Sequence, residues 1–117
     1  MGTKDDVARE LVRVAKDLKA GVADVILQQM GGAGRLKAMI GAHSFSTSGK
    51  DLSFLFPNRQ RSKGNALKVT LRGDDLYDME FLNVSVKGVK VVKKHSGVYW
   101  DQLIELFEGQ TGLYLRL

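Results

Sequence analysis

The chain has 117 residues, of which 44% are hydrophobic and 26% charged, with a net charge of +5 and no cysteine. This length suits one domain that buries a core without covalent staples, and the missing cysteines exclude disulfide frameworks and cysteine-based zinc sites. Charges fill MGTKDDVARELVRVAK, where a signal peptide needs its apolar core, and no run reaches the ~18–20 apolar residues of a membrane span; a soluble, cytoplasmic protein is expected.

Taken in order, Thr3 is placed to cap a helix from Lys4 to about Ala20. Asp5 and Asp6 stand in its first turn and Lys19 in its last, as the helix dipole favours. Val7, Leu11, Val14 and Leu18 fall on one stripe, which suits docking on the chain's own sheet or on a partner. Gly21 ends this segment. A short helix is expected over Val22–Met30, stopped by Gly31-Gly32, with another turn or two over Gly34–Ile40. Strands follow at His43–Thr47 and Leu52–Phe56, joined through Ser48–Asp51. Pro57 ends the second strand, and the loop Pro57–Asn65 has three cations and no acid, so it is expected to be exposed and mobile.

The segment Ala66–Val92 is written as an antiparallel meander. Leu67, Val69 and Leu71 alternate with Lys68, Thr70 and Arg72, and Tyr77, Met79 and Phe81 alternate with Asp78 and Glu80. Gly73-Asp74-Asp75 carries turn chemistry between them. After Phe81 the apolar phase slips by one residue to Leu82, Val84 and Val86, which predicts a β-bulge near Leu82-Asn83. Lys87-Gly88 reads as a hairpin loop before Val89–Val92. Ser96 is then expected to cap a helix over Gly97–Glu108, its inner face made of Trp100, Leu103, Ile104 and Phe107. Leu113-Tyr114-Leu115 comes next as a short strand or a docked tail. The expected architecture is α+β in a single domain over residues 1–117: an antiparallel sheet of four or five strands with N-terminal helices and a C-terminal helix packed on it.

Candidate chemistry is sparse. Gly31–Arg35 (GGAGR) matches neither phosphate-loop pattern, and a helix cap is the ordinary role for such glycines. His43 and His95 are the only histidines, too few to build a zinc site without cysteine. Asp74, Asp75, Asp78 and Glu80 face Lys68 and Arg72 across a hairpin, so ion pairing accounts for them better than metal binding. No catalytic constellation emerges, and neither a cofactor nor an enzymatic activity is expected. The basic segments carry the clearest signal. Residues 57–72 hold Arg59, Arg61, Lys63, Lys68 and Arg72 without an acid, and residues 87–95 hold Lys87, Lys90, Lys93 and Lys94 likewise. Cations in such runs neutralise phosphates; they also serve to discourage pairing at a sheet edge.

The runs TLRGDDLYDMEF (Thr70–Phe81), GVYWDQLIELFEGQTGLYLRL (Gly97–Leu117) and LQQMGGAGRLKAMIGAHSF (Leu27–Phe45) resemble a group of small uncharacterised proteins of phages, prophages and mobile elements. The resemblance spans roughly Leu27–Leu117 and implies a mobile-element origin and a host-cytoplasm setting, with no residue role to carry over. The leading expectation is therefore a non-enzymatic accessory protein that binds nucleic acid electrostatically through Arg59, Arg61, Lys63, Lys68, Arg72, Lys90, Lys93 and Lys94. The alternative is an accessory or inhibitor factor that binds a host or phage protein through the N-terminal helix or a sheet edge.

Overall fold

The computed structural model describes residues 21–115; the helix expected over Lys4–Ala20 lies outside the described residues. Two helices come first, α1 (Val22–Gln29) and α2 (Ala33–Ile40), followed by five strands. These are β1 (His43–Ser46), β2 (Asp51–Leu55), β3 (Ala66–Leu71), β4 (Tyr77–Ser85) and β5 (Gly88–Val98), and α3 (Leu103–Thr111) closes the fold. The strands pair in sequence order as one antiparallel meander, giving the α+β architecture expected from the alternation.

The period-two pattern explains which side is covered. Leu52 and Phe54 of β2, Leu67, Val69 and Leu71 of β3, and Tyr77, Met79 and Phe81 of β4 are all buried. They form one core with Val22 and Ile26 of α1, Met30 just after it, Leu36 and Ile40 of α2, and Leu103 and Phe107 of α3. All described helices therefore lie on one side of the sheet. Phe107 is the hub, its ring 5.2 Å from Phe56 and 6.3 Å from Phe81. Tyr77 is buried as well, and its hydroxyl donates to Gln29 Oε1 at 2.7 Å, which ties β4 to α1. Burial raises the Tyr77 pKa well above the ordinary phenol value, against the Gln29 hydrogen bond and with help from nearby Asp75.

Several local expectations need correction. The bulge expected near Leu82-Asn83 falls on the neighbouring strand. β4 pairs with β3 without a shift from Tyr77 to Leu82, while β5 slips twice against β4. Phe81 faces Lys93 and Leu82 faces Val91, leaving Val92 as an extra residue; Met79 faces His95 and Tyr77 faces Val98, leaving another at 96–97. Gly97 has φ +68°, the left-handed conformation of a glycine bulge. The apolar phase change after Phe81 is instead a change of face, since Leu82 and Val84 project from the side without helices. The hairpin loop is Val86-Lys87 rather than Lys87-Gly88, because Ser85 pairs with Gly88.

The last helix also starts later than Ser96 suggests. β5 runs through Val98, a 3-10 turn covers Trp100–Gln102, and Gln102 Oε1 accepts the Tyr99 amide at 3.0 Å. Trp100 is half-buried at the core margin rather than on the inner helical face. The helix passes through Gly109 and ends at Gly112. Beyond it Leu115 is buried, and its amide donates to Glu108 at 2.9 Å, so the described end of the chain is a docked tail and not a strand.

Candidate functional site

The loop between β2 and β3, expected to be mobile, is pinned by two asparagines. Asn58 Nδ2 donates to the Gly64 carbonyl at 2.9 Å and to the Thr111 carbonyl at 3.4 Å. Asn65 Nδ2 donates to the Val84 carbonyl at 3.0 Å, and its Oδ1 accepts the Val84 amide at 2.7 Å. A 3-10 turn, Arg61–Lys63, sits between them and packs against β4 and β5. Gly64 is buried, and a Cβ there would stand 3.3 Å from the Leu82 carbonyl oxygen and 3.4 Å from the Phe81 Cβ. This tight space and a φ of +101° both favour glycine where the loop approaches β4. Gln110 Nε2 donates to the Lys63 carbonyl at 3.4 Å, fixing the turn to α3. Arg59 is exposed and lines an open cleft with Pro57, Asn58, Gln60, Thr111, Gly112 and Leu113, at the helix end where a cation is favoured.

Register sorts the remaining cations. Residues opposite one another in an antiparallel ladder share a face, so Ser53, Lys68, Glu80 and Lys94 form one row on the helix-free face. The cations there are answered. Lys68 Nζ lies 3.7 Å from Asp51, Arg72 lies 3.1 Å from Asp74 and 3.6 Å from Asp78, and Lys94 Nζ lies 3.9 Å from Glu80. Asp51 is itself buried. Burial opposes its ionisation, but the Ser48 amide and hydroxyl and the Lys68 ammonium together hold its pKa below the usual carboxylate range.

Lys93 stands opposite Phe81 and Lys90 opposite Asn83, both on the helix side of the sheet, beside the turn that carries Lys63. Among the described residues, no carboxylate pairs with Arg59, Lys63, Lys87, Lys90 or Lys93. The eight cations singled out in the sequence therefore do not form a single stripe. Lys68, Arg72 and Lys94 are neutralised on one face, while Arg59, Lys63, Lys90 and Lys93 are uncompensated along the loop and the β5 edge of the described sheet. Arg61 belongs to the same turn by its backbone.

The other candidate groups have structural roles. The Gly31 and Gly32 amides donate back to the Gln28 and Leu27 carbonyls at 3.1 and 2.8 Å, closing α1 in the capping role. His43 Nδ1 and the Ser44 hydroxyl form a local hydrogen bond at 2.9 Å. His95 is half-buried and meets the Phe81 ring edge-on at 6.0 Å. No metal-binding cluster occurs among the described residues, and none of their helices is long and apolar enough to cross a membrane.

Sequence reasoning missed Asn58 and Asn65, whose value depends on a fold-back that no periodicity reports. It also placed Val86 within a strand, whereas Val86 sits at the hairpin tip with a relative exposure of 105%. Two valines flanking a lysine and a glycine were the signal available. No family model, curated protein or solved structure matches this chain, and the resemblance to phage proteins stands on its sequence motifs alone.

Proposed function

We propose that this chain is a non-enzymatic accessory module that binds nucleic acid through the β5 edge and the adjoining 3-10 turn. Arg59, Lys63, Lys90 and Lys93 are the contacting groups, and Arg61 adds its charge by position in the chain. One observation carries the reading: among the described residues these four lack acidic partners, in a molecule that pairs its other sheet cations with acids. Uncompensated cations on a fixed frame exchange their counterions for phosphates, so affinity is sequence-tolerant and falls with salt. About four phosphate contacts give a slope of log K against log salt of about −3 to −4 on duplex DNA.

Fluorescence anisotropy over a salt series tests this. Reversing Arg59, Arg61 and Lys63 to Glu weakens binding to every sequence and flattens the slope. Absence of binding to DNA or RNA at about 50 mM salt and micromolar protein overturns the reading. A second reading, docking of a protein segment on β5, is favoured by the exposure of Val89 and Val91 and by the position of β5 at the edge of the described sheet. Capture of a partner that survives nuclease treatment would select it.

A further inference from the structure

The β4–β5 hairpin outruns the rest of the sheet. β3 ends opposite Leu82 at Ala66, and beyond that rung Asn65 reaches only as far as Val84. Among the described residues, no further strand flanks the hairpin past Val84. From Leu82 to Val86 is four residues, about 13 Å at strand rise, which exceeds the ~8.5 Å depth of the B-DNA major groove. A two-stranded ribbon is also of a width that groove admits. Residues 83–95 contain no acid. Val86 at the tip is 105% exposed and Val89 beside it 65%.

Resting on the nucleic-acid reading above, we infer that the ligand class is duplex DNA and that this ribbon enters its major groove. Val86 and Val89 then lie against thymine methyl groups on the groove floor, and Lys87, Lys90 and Lys93 reach the flanking phosphates. The observations favour this occupant over a protein strand. The extra residues at Val92 and at 96–97 interrupt the β5 ladder, leaving a poor template for strand addition. A second copy paired along β5 would bring lysine rows together, which is unfavourable. Duplex RNA is disfavoured because its major groove is too deep and narrow for side chains to read.

The test compares one labelled A·T-rich DNA duplex with the same duplex carrying uracil for thymine, which removes the groove-floor methyl groups. A matched RNA duplex and a single strand complete the set, each measured by anisotropy with the wild-type chain and with Val86→Ser/Val89→Ser. The wild type binds the thymine duplex tighter, by about fourfold for each methyl group packed, and binds the RNA duplex more weakly. The serine variant, confirmed as folded by circular dichroism, binds thymine and uracil duplexes alike with its salt slope retained. Equal wild-type affinity for the two DNA duplexes, with the salt slope intact, overturns the ribbon proposal and leaves phosphate binding standing. Absence of binding to all four probes overturns both. Loss in the serine variant of a nuclease-resistant protein partner, with its DNA affinities unchanged, assigns the valines to protein docking and also overturns the proposal.

Discussion

The centre of the sheet and its β5 edge are made of similar residues arranged to opposite ends. In β3 and the first half of β4, valine, leucine and phenylalanine are buried under the helices, and each cation on the far face has an acid within 4 Å. Along the first half of β5 and the hairpin tip, Val86, Val89 and Val91 stand in solvent, and Lys87, Lys90 and Lys93 have no described acidic partner. The difference lies in the neighbours. A strand with partners on both sides is held by cross-strand pairs, whereas an edge strand with few neighbours keeps its side chains available. Stability should therefore reside in the centre and binding at the edge.

Substitutions in the centre sharpen this contrast most. Phe107→Ala removes the ring that joins Phe56 and Phe81 and should cost about 3–5 kcal/mol, the range for deleting a buried aromatic, read from the denaturant midpoint. A loss under about 1 kcal/mol would mean that the helix-to-sheet core is not organised around Phe107. Trp100→Ala should cost less, about 1–3 kcal/mol, because Trp100 is only half-buried and part of its area is exposed already. A loss equal to that of Phe107→Ala would place Trp100 in the core after all.

Asp51 offers a test by pH. Its folded pKa is lowered, so its contribution is complete above the unfolded value of about 3.9 and disappears as pH falls through the folded value. Asp51→Asn should be less stable than the parent by about 1–2 kcal/mol at neutral pH, from the lost charge-assisted hydrogen bonds. The gap should close in acid. A gap that stays constant to pH ~2 would show that Asp51 remains stabilising when protonated. The smallest effect belongs to the edge: Val86→Ser should change stability by less than about 0.5 kcal/mol, as an exposed surface position does. A larger loss would mean that the hairpin tip packs against something.

Alternation made the sheet legible. Leu67, Val69, Leu71, Tyr77, Met79 and Phe81 announce one buried face, and the turn at Gly73–Asp75 fixes how β3 meets β4. The strand β5 was harder to read because its valines and lysines follow no single period; two extra residues move them between faces, and a bulge leaves its trace in the pairing rather than in composition. The loop after Pro57 hides its order for a related reason. Its polar composition suits mobility, yet Asn58 and Asn65 use that polarity to bond carbonyls brought near by the fold. The basic segments were visible as runs of charge. Which cations would be neutralised was not, since the pairing of Lys68 with Asp51 and of Lys94 with Glu80 depends on three-dimensional neighbours.

If the paired and the unpaired cations differ in function, the two groups should part when measured side by side. Lys90→Glu/Lys93→Glu and Lys68→Gln/Lys94→Gln are compared with the parent for duplex DNA binding across a salt series by anisotropy. Lys68 and Lys94 end in exposed ammonium groups 3.7 and 3.9 Å from their carboxylates, and buried Asp51 keeps both Ser48 hydrogen bonds without Lys68, so both variants should stay folded. The edge variant is expected to lose affinity at every salt concentration and to flatten the slope by about 2, near 0.9 for each phosphate contact removed. The sheet-face variant is expected to retain the parental affinity and slope. Equal losses from the two variants, or a loss confined to Lys68→Gln/Lys94→Gln, would show that the edge cations are not the binding group.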